Sequence, residues 1–479
     1  MARAASAASQ STAIASSSST ALMPAPLRRA FSTASSLADD NAAALSASVH
    51  KFDLSKYKDG RYALVPASAH DQIRYTGRFL HHGPAAKRKS KVNTVQFDWP
   101  GVAFELVVRG TNTVAIRLKG DGNYFNVFVD GAFRCILKAS INATCCEVAT
   151  DLDPQHEYTV TVTKRTEPQM RGALSTFKVL PVRSPFLQSC VDINVSYAYA
   201  QVCTFYGFIV EASAEVLPCK PAPARKIEFI GDNVTCAFGN EGSASGVKTR
   251  FSMKGRMENV HNGYACVLAR MLGAEAHVLA WSGKGVHSNS ADWGPNMPAL
   301  WKNTIASREG AWDMSSWRPD VVIVNLGAND LFPPASLETE IVGAYALLLA
   351  EVRQYRPDAH IFCVAYDDNC MSAEESEINR SHVAMQLQEI VKVAMSKVNK
   401  HDSRMHYAFI KIDGGLAESD YATHMHYAVS GHLKIANLLA EDIALKTKWK
   451  VERRATTTPY PQEKNQILMP KDSSNCTIS

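Results

Sequence analysis

Arg225-Lys-Ile-Glu-Phe-Ile-Gly-Asp-Asn-Val-Thr-Cys-Ala-Phe-Gly-Asn-Glu241 is an apolar run that stops at a glycine and an acid. Residues 227–230 read as a buried strand, and Gly231 and Asp232 end it in a sharp turn. The turn puts Asn233 at the carboxyl end of a strand, where open α/β sheets keep their sites. Downstream the pattern alternates. An amphipathic segment near 257–272 is followed by strands over 276–281 and 321–326, a helix over 337–355 opened by Ser336, a strand over 361–366, a helix over 374–397, a strand over 406–412 and a closing helix over 429–446. Strand runs this apolar are buried on both faces, so the spacing predicts a parallel sheet between two helix layers, an α/β/α domain over 225–448.

Upstream, residues 71–217 have a β texture. Runs such as Ala103-Phe-Glu-Leu-Val-Val108, Tyr124-Phe-Asn-Val-Phe-Val129 and Tyr158-Thr-Val-Thr-Val-Thr163 alternate or run apolar, most of them bounded by Gly, Asp, Asn or Pro. Short strands with frequent turns predict a β-sandwich or a barrel. Val129-Asp-Gly-Ala132 is a tight-turn signal between two of them. The stretch 218–224, with three prolines, reads as a stiff linker between the domains. Residues 45–70 read as a linker with some local structure and 449–479 as a flexible tail. No internal repeat is visible.

The opening stretch resembles the first motif of the SGNH (GDSL-type) hydrolases, Gly-Asp-Ser-x-Thr, and more narrowly that of carbohydrate esterase family two. Asp232 and Thr235 match, and Asn233 stands where the family has its nucleophilic serine. A carboxamide has no hydroxyl to deprotonate, so the acyl-enzyme route of an activated serine is closed there. The resemblance extends into the β block through Arg74-Tyr-Thr-Gly-Arg78, Phe97-Asp-Trp-Pro-Gly101, Asn123-Tyr-Phe-Asn-Val-Phe-Val-Asp-Gly131 and Lys164-Arg-Thr-Glu167. It implies a jelly roll packed against an SGNH catalytic domain and lining part of the substrate approach.

Three further blocks carry the family's roles. Ser282-Gly-Lys-Gly-Val286 resembles the loop that presents a glycine N–H to the oxyanion, with Gly283 and Gly285 both candidates. Asn325-Leu-Gly-Ala-Asn-Asp330 resembles the family's Gly-x-Asn-Asp, which makes Gly327 and Asn329 binding residues, the second an oxyanion donor, while Asp330 caps the turn. His426-Tyr-Ala-Val-Ser-Gly-His432 resembles the block of the general base, which falls on His426. The acid expected two or three residues earlier is absent, since those positions are His424 and Thr423, and Asp420 lies six residues away.

Plainer roles compete with each of these. Asp232 can simply cap its turn, His426 can be an ordinary hydrogen-bonded histidine, and Trp99, Trp281, Trp312 and Trp317 are core residues or sugar platforms. Cys236 is a substitute nucleophile only if the turn aims it outward.

Composition excludes whole classes. With 46% apolar and 20% charged residues the chain is globular, and a net charge of +5 over 479 residues without a basic stripe points away from nucleic acid. Eleven cysteines without metal spacing suggest reduced, buried thiols, and no metal or cofactor is expected. No apolar run reaches the ~20 residues of a membrane span. Residues 1–38 lack acids, carry Arg3, Arg28 and Arg29 and resemble a mitochondrial presequence, so 1–44 is expected to be a transit peptide. The terminal Cys476-Thr-Ile-Ser479 fits a farnesylation pattern loosely, which would instead give a cytosolic, membrane-attached protein.

Two functions follow. In the first the chain is a hydrolytically impaired relative of the esterases, a binding or structural subunit with an acetylated carbohydrate or ester ligand and protein partners in a mitochondrial assembly. In the second it is a working O-deacetylase that uses water activated by His426, or Cys236.

Overall fold

The computed structural model describes residues 60–82, 94–171, 199–200, 202–243, 255–290, 294–331, 338–367, 377–398, 400–452 and 467–468. The presequence reading of 1–44, the Ser336 cap and the Cys476 lipidation reading lie outside these residues. The chain separates into two compact units at His50 and Lys51, and every described residue belongs to the second.

The N-terminal part is a pair of antiparallel sheets. In one, the order is Leu80–His82, Thr94–Phe97, Cys203–Glu211, Val114–Lys119 and Thr144–Ala149, with Tyr62–Pro66 also paired to Cys203–Glu211. In the other it is Glu215–Leu217, Ala103–Arg109, Tyr158–Lys164, Tyr124–Val129, Ala132–Lys138 and Ile467–Leu468, with Ile73–Thr76 also on Ala103–Arg109. Alternation decides which face is buried: Val160 and Val162 point into the core from Tyr158–Lys164. Phe104 of the second sheet stacks on Phe205 of the first with centroids 4.3 Å apart, so aromatic rings fill the space between the sheets. At the hairpin after Val129, Asp130 and Gly131 have φ of 51° and 76°, the left-handed pair that a two-residue hairpin turn requires.

Two expectations at the margins are corrected. Tyr62–Pro66, inside the stretch read as a linker, is a strand of the first sheet, because its Leu64 and Val65 find a partner edge. The stretch read as a flexible tail is partly docked: Glu452 N–H donates to Met271 O at 2.8 Å, and Ile467–Leu468 adds a short parallel strand to Ala132–Lys138.

The second part carries five parallel strands: β1 (Arg225–Gly231), β2 (Ala274–Ala280), β3 (Val321–Asn325), β4 (His360–Tyr366) and β5 (Met405–Ile410), in the order β2-β1-β3-β4-β5. The helices are α1 (Tyr264–Met271), α2 (Met297–Leu300), α3 (Glu338–Tyr355), α4 (Glu377–Val398) and α5 (Val429–Thr447). The step from β1 to β2 runs toward one edge and the steps from β3 to β5 toward the other. Right-handed crossovers therefore put α1 and the pair α3 and α4 on opposite faces, and α5 returns to pack on α1. The order reverses around β1, so the crevice at its carboxyl end is the topological switch point.

The α1 helix starts later than its amphipathic pattern suggests. Asn259 and Asn262 both donate to Glu241, at 2.6 and 3.0 Å, and such side-chain bonds hold the preceding residues in short 3₁₀ turns.

Polar contacts join the two parts. The guanidinium of Arg78, from the β part, donates to Glu228 of β1 at 3.0 Å, and Arg356, just beyond α3, donates to the same carboxylate at 2.9 Å. Asp98 accepts from Ala306 N–H at 2.7 Å and from Ser307 N–H and Oγ at 3.0 and 2.7 Å. All five polar side chains are buried or partly buried between the domains.

Candidate active site

Four loops at the carboxyl ends of the strands meet at Asn233. The first turn follows β1 and is built on Gly231: a Cβ there would lie 2.0 Å from Thr235 Oγ1. Thr235 is thus seated over the glycine and shares a hydrogen bond with Tyr264 OH at 2.9 Å. The Gly-Asp-x-x-Thr spacing is therefore a packing requirement.

The carboxamide of Asn233 engages three groups. Gly283 N–H donates to its Oδ1 at 2.6 Å, and Asn329 Nδ2 donates to the same oxygen at 3.2 Å. Its Nδ2 lies 2.8 Å from His426 Nε2. A backbone N–H can only donate, so Oδ1 faces Gly283 and the amide nitrogen faces the imidazole, which accepts through Nε2. The open choice between the two glycines falls to Gly283, which has φ of 77°. Gly285 N–H turns away to Asn289 Oδ1 at 3.2 Å.

Gly285 and Gly327 serve by leaving room. A Cβ on Gly285 would lie 1.8 Å from Ser288 O, and one on Gly327 would lie 2.8 Å from Leu387 Cδ1. Gly327 also has φ of 109°. Asp330 holds the Gly283 loop by accepting from Val286, His287 and Ser288 N–H at 2.9, 2.7 and 2.8 Å. Asn329 is fixed by donating to Asp232 Oδ2 at 2.9 Å and accepting from Ser290 Oγ at 2.8 Å. Asp232 also accepts from Val234 N–H at 3.3 Å, so it caps the turn and orients the Asn329 carboxamide together. Burial raises its carboxyl to about 7, against the pull of these hydrogen bonds.

His426 sits on a backbone hairpin before α5. Ala422 N–H donates to His426 O at 2.6 Å, Ala428 N–H donates to Asp420 O at 2.7 Å, and the Phe238 ring lies 5.0 Å away. The carboxylate of Asp420 is taken up by Ala417 N–H and Lys434 Nζ. Burial alone would raise it, but these bonds hold it below the ordinary carboxylate value. Tyr427 is core, its ring buried among Tyr366, Tyr421 and His432. His432 accepts from Tyr264 N–H at 3.3 Å, and burial lowers its imidazole to about 3, so it stays neutral.

Cys236 does not replace the serine. Its thiol is fully buried and donates to Glu167 Oε2 at 3.3 Å, and burial among carboxylates raises its pKa well above the ordinary thiol value. The tryptophans have structural partners: Trp99 donates to Asn303 O at 3.2 Å, Trp317 stacks on His277 at 3.6 Å, Trp312 lies under Arg78, and Trp281 under Lys284.

Tyr264, Asn325, Ser290 and Glu167 escape the sequence reading. The first two form a buried relay beneath the turn, with Asn325 Nδ2 donating to Tyr264 OH at 3.2 Å and to Tyr366 OH at 2.6 Å. Glu167 had a signal, the phrase Lys164-Arg-Thr-Glu167, but nothing in it says that its last residue reaches the other domain.

Among the described residues no helix is long and apolar enough to cross a membrane.

Both parts of the chain are similar to known proteins. The GDSL-like Lipase/Acylhydrolase family matches residues 229–433, and the Carbohydrate esterase 2 N-terminal family matches residues 86–179. The cellulase/esterase CelE of Acetivibrio thermocellus is 29% identical over 386 residues, which is 80% of this chain and 41% of that protein. An acetylxylan esterase/glucomannan deacetylase of Cellvibrio japonicus is 22% identical over 56% of this chain and 66% of its own length. The chain therefore spans from about two fifths to two thirds of the length of these relatives. The structure of a family two carbohydrate esterase from Clostridium thermocellum in complex with cellohexaose superposes with a TM-score of 0.62 at 27% identity, covering 79% of this chain and all of that one. The chain thus joins a carbohydrate esterase 2 N-terminal domain to a GDSL-like lipase/acylhydrolase domain and stands close to carbohydrate esterase family two.

Proposed function

We propose that this chain is a hydrolytically impaired carbohydrate esterase that retains a ligand-binding cleft and acts as a binding or structural subunit. The observation that carries the reading is the seat of the Asn233 carboxamide. Its carbonyl oxygen takes the hydrogen bonds from Gly283 N–H and Asn329 Nδ2, and its nitrogen faces His426. Those are the groups that would hold an oxyanion and deprotonate a serine, so the residue replacing the nucleophile also takes up its partners. Loss of the nucleophile alone costs a triad about as much as loss of all its members.

By analogy with the relative solved with cellohexaose, the ligand is a β-linked glucan or an acetylated carbohydrate. The acid-free N-terminal stretch is read, within the same proposal, as an import signal to mitochondria, to be checked by N-terminal sequencing of the native protein.

The test is a paired assay of the full chain and Asn233→Ser with p-nitrophenyl acetate and a fluorophosphonate label. We expect an inert wild type and a serine variant that turns over and is labelled. Hydrolysis by wild type that is lost in His426→Ala would overturn the proposal.

A further inference from the structure

Glu167 belongs to the β domain, three residues beyond the strand Tyr158–Lys164, yet its carboxylate is spent inside the α/β domain. Oε2 accepts from Ser282 N–H at 2.6 Å and Oε1 from Ser282 Oγ at 2.6 Å. Oε2 also accepts from the Cys236 thiol at 3.3 Å. Ser282 immediately precedes Gly283, whose N–H is the 2.6 Å donor to Asn233, and Cys236 lies in the turn that carries Asn233, with its N–H donating to Asp232 O at 2.9 Å. One carboxylate therefore ties the donor loop to the turn it must face.

Glu167 is itself held from behind. Its N–H donates to Glu258 Oε2 at 3.0 Å, Lys164 Nζ donates to its carbonyl at 3.0 Å, and Gln169 Nε2 reaches Glu258 at 3.2 Å. Glu167, Lys164 and Glu258 are all buried, so the clamp is shielded from water. Two bonds of 2.6 Å fix Ser282 at both its N–H and its Oγ, and a loop displaced by about 1 Å loses roughly 10²-fold in rate.

We propose that Glu167 is a positioning residue for the oxyanion loop, by which the β domain sets the distance between Gly283 N–H and the side chain at position 233. The proposal goes beyond the question of turnover, because the same clamp serves a silent cleft and a working one.

The test reads the Gly283 amide directly. Ser245-Gly246, Ser282-Gly283 and Ser430-Gly431 are the Ser-Gly steps in the chain, so carbonyl-¹³C serine with ¹⁵N glycine in deuterated full-length protein isolates three amide signals. A 2.6 Å hydrogen bond holds the Gly283 proton downfield. We expect Glu167→Ala to move that signal upfield and leave those of Gly246 and Gly431 in place. Glu167→Gln, which keeps the volume and one acceptor for Ser282 N–H, should move it by a smaller step. In the Asn233→Ser background, Glu167→Ala should lower kcat roughly 10²-fold with little change in KM, and Glu167→Gln should restore most of it. An unmoved Gly283 amide in both Glu167 variants overturns the proposal. An inert Asn233→Ser protein overturns the proposed function, while the amide shift still decides the role of Glu167.

Discussion

At the scale of the residue, the site shows carboxyl groups kept from water by the same burial that fixes their hydrogen bonds. Asp232 is raised to about 7 chiefly by burial, and Glu258 to about 8 by burial and then by Glu167. Both folded values lie above the ordinary ones of 3.8 and 4.5, so the folded chain holds protons that the unfolded chain has released. Stability from these groups is complete below about pH 4 and is lost as pH climbs through about 7 to 8, at up to about 1.4 kcal/mol per pH unit for each proton. Urea unfolding at a series of pH values should show this decline between about pH 5 and 8, and Asp232→Asn should make it shallower. Equal slopes for the two proteins would remove Asp232 from the account. The positions of Asp232, Asn233, Asn329 and His426 were legible in the sequence because each stands in a short motif, the first three at strand ends and His426 just ahead of the closing helix. That Asn233 bonds all three partners was not legible, since a carboxamide at that position has several rotamers and only the packed loops select one.

At the scale of the element, the Gly283 loop is held by Asp330 as well as by Glu167. Asp330 accepts from three successive amides, so Asp330→Ala leaves three N–H groups without their charged acceptor. A loss of about 3 kcal/mol is expected, read by thermal or urea unfolding, with a smaller loss for Asp330→Asn. If Asp330→Ala unfolds like wild type, water takes its place and the loop is held by other contacts. The strands of the parallel sheet were readable because runs such as Val321–Asn325 are buried throughout. The start of α1 was not, because the amphipathic pattern runs on through residues that Glu241 pulls out of the helix. Tyr62–Pro66 was missed for a related reason: five residues carry too little alternation, and the partner edge on Cys203–Glu211 lies far along the chain.

At the scale of the whole molecule, the two domains are joined by buried charge. Arg78, Glu228 and Arg356 form a triad with side chains at most 1% exposed, and Arg78 also donates to Trp301 O at 2.6 Å and Asn303 O at 3.0 Å. Removing one member of a buried ion group strands the others, at a cost of about 3–5 kcal/mol. Calorimetry of Arg78→Ala should therefore show a lowered transition and separate melting of the domains, with wild type expected to melt in one step. A single transition at the wild-type temperature would show that the triad does not couple them. None of this pairing was readable from the order of residues, because ion partners 150 positions apart leave no local pattern. That separation also has a consequence in time. A ribosome adding about 5–20 residues per second makes Arg78 roughly 8 to 30 seconds before Glu228. During that interval the β domain emerges with Arg78, Asp98 and Glu167 lacking their partners in a domain that does not yet exist. Its folding is then completed by the later half of its own chain, so slow codons ahead of residue 228 would prolong the exposure of an unfinished surface to chaperones and proteases.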